Sequence, residues 1–98
     1  MPSTGLTQTA SGADRPRLAP HVRLIFDPTR ERHVLLTPES VTVLNGTAAA
    51  VLGLCDGERT VTDVVAALHG RYDRVDGEEV QLFLDRLASR HCMELRRG

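Results

Sequence analysis

The apolar residues of this chain change their spacing once, and that change constrains the fold more than any other feature. Val22, Leu24 and Phe26 alternate within His21-Val-Arg-Leu-Ile-Phe26, and Val41 and Val43 alternate within Ser40-Val-Thr-Val-Leu44. Between them lies the short apolar run His33-Val-Leu-Leu-Thr37. A spacing of two places side chains on one face of a strand. From Ala48 onward the spacing becomes three and four, the signature of a helix with one buried stripe. Val61, Val64, Val65, Leu68 and Tyr72 follow it, as do Val80, Phe83, Leu84 and Leu87. The expected order is three strands and then three helices. That is an α+β domain, winged-helix-like in its parts, with a three-stranded antiparallel sheet followed by three helices.

Local signals mark the boundaries. Asp27-Pro28-Thr29 starts a turn, because Pro fixes φ and Asp bonds the backbone beyond it. The short polar link Arg30-Glu31-Arg32 favours an antiparallel hairpin. Asn45 or Thr47 can cap a helix over Ala48–Cys55, with Gly57 beyond its end. Thr60-Val-Thr-Asp63 has the form of a capping box, and Gly70 suggests an end before Tyr72. Asp76-Gly-Glu-Glu79 opens a last helix to about Arg90, with acids at its positive end. Met93-Glu-Leu95 can add a short final strand. Residues 1–16 hold one large apolar residue, Leu6. They are expected to be a disordered tail, with the domain spanning 17–98.

Size and composition narrow the function. A chain of 98 residues makes one domain. At this length, about 60–65% of the unfolded surface is buried, so the core consumes nearly all the apolar side chains. Aromatics are 3% of the chain and Trp is absent, which leaves little to line a substrate pocket. No phosphate-binding Gly-rich loop, Gly-x-Ser-x-Gly or His-Glu-x-x-His is present. His21, His33, His69 and His91 lack the short spacings of metal ligands. We therefore expect no enzyme activity, no cofactor and no metal. Cys55 and Cys92 are expected to be free thiols.

The net charge of −1 gives no reason to expect nucleic acid or an anionic membrane as partner. Winged-helix domains often read DNA, but the last helix begins with Glu78 and Glu79 and adds Asp85, against Arg86 and Arg90. Phosphate would be repelled from its first half. No apolar run is long enough to span a bilayer, and the N-terminus lacks the form of a secretory signal, so the expected location is the cytoplasm. Peptide binding fits better. Ser40–Leu44 carries no charge; as a sheet edge it would offer backbone groups to an extended peptide. As a central strand it would only pack the core. The pattern leaves both readings open, along with a monomer or a strand-mediated homodimer.

Several segments then carry a family resemblance: Arg17-Leu-Ala-Pro20, Leu35-Leu-Thr-Pro-Glu39, Val43-Leu-Asn45, Ala48-Ala-Ala-Val-Leu52 and Leu54-Cys-Asp-Gly-Glu-Arg-Thr60. Val64-Val-Ala-Ala-Leu68, Tyr72-Asp73 and Val80, Leu84 and Leu87 continue it. The chain resembles the PqqD family of pyrroloquinoline quinone (PQQ) biosynthesis from about Arg17 to Leu95. The resemblance implies a peptide chaperone that binds the precursor peptide PqqA and presents it to the radical S-adenosylmethionine enzyme PqqE. A leader-peptide recognition domain of another modified-peptide pathway is the alternative. In this family the peptide adds a strand beside the third strand and lies against the third helix. Carried over, the site is Val41, Thr42, Val43 and Leu44, with Leu82, Phe83, Arg86 and Arg90 as its wall. Leu82, Arg86 and Arg90 form one row by helical spacing.

Overall fold

A computed structural model describes residues 12–97. The expected hairpin is present: β2 (Arg23–Asp27) pairs antiparallel with β3 (Arg32–Leu36). Asp27 fixes the turn, since its carboxylate accepts from the Thr29 N–H at 3.0 Å and holds Arg30 at 2.6 Å. Glu31 completes the reversal at φ 54°. The chain turns again at Thr37–Ser40, where the Thr37 hydroxyl accepts from the Ser40 N–H at 3.0 Å. That turn lays β4 (Val41–Val43) antiparallel beside β3, giving the order β2-β3-β4.

Three helices follow. In α1 (Gly46–Gly53), Asn45 is the N-cap and accepts from the Ala48 N–H at 2.7 Å. The helix ends at Gly53, ahead of Gly57, whose φ of +82° instead serves the next turn. There its N–H reaches the Pro16 carbonyl at 2.9 Å, and an added Cβ would meet Arg17 Cδ at 3.3 Å. In α2 (Val61–His69), Thr60 and Asp63 form the reciprocal capping box. The last helix, α3 (Gly77–Ser89), is capped by Asp76 and buries Val80, Leu84 and Leu87. It closes with His91 at φ 62°, the His91 N–H on the Ala88 carbonyl and the Cys92 N–H on the Leu87 carbonyl. That bond pair is the Schellman arrangement, in which glycine usually takes the position held here by His91.

Two expectations need correction. Structure begins before Arg17, because Asp14–Leu18 forms a strand, β1, that pairs antiparallel with β5 (Met93–Arg97). The expected tail over 1–16 therefore includes strand residues; residues 1–11 lie outside those described. The closing strand also runs past Leu95 to Arg97. The fold thus holds a second, two-stranded sheet that local pattern did not indicate. Pro16 tolerates strand geometry at a sheet margin, and its side chain is fully buried.

The core lies between the helices and the inner face of the β2-β3-β4 sheet. Leu35, Leu44, Val51, Leu52, Val61, Val64, Leu68, Val80, Leu84 and Met93 are its main members. Phe26 shares the inward side of β2 with Leu24 but is 52% exposed, standing edge-on to His33 with ring centroids 5.1 Å apart. Both cysteines are free, and burial pushes the Cys55 thiol up to about 12. No helix among the described residues is long and apolar enough to cross a membrane.

Candidate peptide-binding edge and groove

The strand β4 is an edge. It pairs with β3 on one side, and among the described residues no strand pairs with its other side. The phase of the ladder decides which groups are offered there. Thr37 N–H bonds the Ser40 carbonyl at 3.0 Å, and Leu44 N–H bonds the His33 carbonyl at 2.9 Å. In an antiparallel pair, bonded and non-bonded positions alternate. Thr42, opposite Leu35, therefore faces β3. Val41 and Val43 turn their N–H and C=O groups outward. Their side chains are 56% and 45% exposed, and no charge guards the strand. Proteins commonly block such edges with Lys, Pro or a bulge.

Residues that follow β4 in the sequence line a groove of about 670 Å³. Asn45, Thr47, Ala48 and Val51 form one side of it, and Arg74, Val75 and Asp76 close one end. The opposite side comes from α3: Glu79, Val80, Leu82, Phe83 and Arg86. Leu82 is 57% exposed, while Phe83 is half-buried against the core. The lining is mixed: Ala48, Val51, Val75, Val80, Leu82 and Phe83 are apolar, and Arg74 and Arg86 are the cations, with Asp76 and Glu79 as counter-charges.

The sequence-derived residues divide accordingly. Val41, Thr42 and Val43 form the edge strand. Leu82, Phe83 and Arg86 line one groove. Arg90 is exposed at the C-cap of α3, one turn beyond Arg86, and is not part of the groove lining. Leu44 is placed elsewhere: its side chain is buried in the core and its N–H is committed to His33. Sequence reasoning missed Ala48, Arg74, Val75 and Glu79 as groove residues. It assigned Asn45 and Thr47 only a capping role. No local signal marks Arg74 or Val75, because they reach the site through the loop between α2 and α3.

Comparison with known proteins bears on the family and the fold. The family model described as Coenzyme PQQ synthesis protein D (PqqD) matches residues 32–92. The chain belongs to the PqqD family. A PqqA binding protein of Azotobacter vinelandii is 42% identical over 84 residues, spanning 84% of this chain and 91% of that protein. A bifunctional coenzyme PQQ synthesis protein C/D of Methylorubrum extorquens is 49% identical over 63 residues, which is 64% of this chain and 17% of that protein. The solution structure of the PqqD part of Methylobacterium extorquens PqqCD superposes with a TM-score of 0.69 at 40% identity, over 87% of this chain and 94% of that one. That PqqD part is described as a functional, stand-alone recognition element for ribosomally made, post-translationally modified peptides. Part of the heterocyclase TruD shares the fold at 24% identity, with a TM-score of 0.60.

Proposed function

We propose that this PqqD-family protein is a peptide chaperone of PQQ biosynthesis: it binds the precursor peptide PqqA and presents it to the radical S-adenosylmethionine enzyme PqqE. The single observation that carries the reading is the outward-facing pair Val41 and Val43 on a charge-free sheet edge; the groove beside α3 is lined from Asn45, two residues further along the chain. An extended peptide adds to β4 as a further strand and takes its register from the main-chain groups of those two residues. Thr42 stands between them and holds β4 to β3. Leu44 anchors the strand from the core. The peptide then continues over Leu82 and Phe83, with Arg86 meeting an acidic side chain and Arg90 accessible to a longer segment.

Such binding needs no catalytic group. Each main-chain hydrogen bond contributes about 1 kcal/mol net, so apolar contact in the groove supplies most of the affinity. The acidic first turn of α3, Glu78 and Glu79, disfavours a phosphate backbone on the same surface. The test is a titration of isotope-labelled protein with PqqA peptide, followed by amide shifts. Shifts concentrated at 41–43 and along the Leu82–Arg86 side of α3 support strand addition. Shifts confined to β1, β5 or α2 sink it.

A further inference from the structure

The α3 wall of the groove carries opposite charges at its two ends. Glu79, Leu82, Phe83 and Arg86 all line the groove, and their helical spacing sets them along one face of α3. Glu79 stands in the first turn and Arg86 in the last. Both are exposed, and neither has an ion-pair partner among the described residues. Apolar side chains lie between them. The facing wall, Asn45, Thr47, Ala48 and Val51, has no ionisable side chain, so nothing across the groove answers either charge.

The loop at the N-terminal end of α3 does not cancel this polarity. There Arg74 stands against two acids, Asp76 and Glu79. Asp76 is occupied as the N-cap, accepting from the Glu78 N–H at 2.9 Å. The helix dipole adds about half a positive charge, which reduces the negative sign of that end without reversing it. At the other end stands Arg86, and Arg90 follows one turn on with the same sign. A uniformly basic groove would draw any acidic peptide, whereas this one repels an acid at the Glu79 end and a base at the Arg86 end. Seven helical residues advance about 10 Å, which an extended chain covers in about three residues. We propose that Glu79 and Arg86 act as a pair that selects a peptide segment with a base and an acid about three residues apart and apolar side chains between them. The base lies against Glu79 and the acid against Arg86, so the charge order fixes which way the segment runs along α3. This recognition rests on the proposed peptide binding and adds the chemical class of segment that the groove takes.

The test is calorimetric titration of the full chain with PqqA peptide at low ionic strength, with thermal unfolding as the control for folding. Glu79→Gln and Arg86→Gln should each weaken binding about threefold, the scale of a partly exposed ion pair, and both losses should shrink as salt rises. Replacing the basic residues of PqqA with glutamine should abolish the effect of Glu79→Gln and leave that of Arg86→Gln in place. The double reversal, Glu79→Arg with Arg86→Glu, keeps the net charge of the groove. It should weaken binding about tenfold or more, since two attractions become two repulsions. Unchanged affinity in Glu79→Gln overturns the proposal, because Glu79 would then serve only the helix dipole. Tighter binding in Glu79→Gln overturns it as well, because the groove would then favour acids throughout. Amide shifts at 41–43 that persist beside either result leave strand addition standing and remove the charge order alone. Absence of those shifts in the unsubstituted protein removes both.

Discussion

His91 illustrates how one residue can hold a helix end at a cost. It occupies the left-handed region at φ 62°, where a side chain crowds its own carbonyl, because the Schellman bonds to Leu87 and Ala88 require that turn. His91→Gly should therefore raise stability by about 0.5–1 kcal/mol, measured by urea denaturation, once the greater freedom of glycine in the unfolded chain is counted. A fall in stability would mean that the imidazole makes a compensating contact. Arg86 is the residue-scale test of recognition. It is an exposed residue of the groove lining, so Arg86→Glu should leave thermal unfolding unchanged. It should weaken PqqA binding about tenfold by calorimetry, with the loss shrinking as salt rises.

At the scale of elements, β4 carries the proposed function and α2 shows how the helices are secured. Because the Val43 N–H points away from β3, Val43→Pro removes an outward donor without breaking the ladder; an edge strand tolerates this. Peptide affinity should fall while the thermal midpoint stays near that of the original protein. Thr42→Pro removes an inward donor and should lower the midpoint, so the pair of variants reads the phase of the ladder directly. The capping box of α2 is pH-dependent. Hydrogen bonding from the Thr60 N–H and hydroxyl holds the Asp63 carboxyl below its ordinary value. A depressed folded pKa means that its contribution is present above the usual carboxylate range. It is lost as pH falls through the folded pKa, on the acid side of about pH 4. Thr60→Ala should cost about 1 kcal/mol near neutral pH and progressively less on acidification, measured by denaturant titration across pH.

The whole molecule is closed by the pairing of its ends. Register sets Leu18 opposite Met93 and Pro16 opposite Leu95, so that Met93 is covered from the start of the described chain. The ribbon is pinned further by the Arg17–Glu94 pair at 2.8 Å, by Arg15 on the Glu58 carbonyl, and by Gly57 on Pro16. Exposed ion pairs contribute little by themselves, so the covered apolar surface matters more. Deleting residues 1–18 should lower the thermal midpoint by about 10 °C or more, since a few kcal/mol moves a domain of this size that far. A truncated chain that melts with the full-length protein would refute this role for β1. The sequence by itself determined the hairpin, the capped helices, the α+β order and the family, because period, turn chemistry and caps act over a few residues. It also placed Val41, Thr42, Val43, Leu82 and Arg86 on the elements where they stand. Only the tertiary structure decided that β4 is an edge among the described residues and that Val41 and Val43 turn their main-chain groups outward. The same holds for Leu44 in the core, Arg74 in the groove and β1 beside β5. Each of these depends on which distant segment packs alongside. A strand of three residues reads the same in sequence whether or not a neighbour covers it.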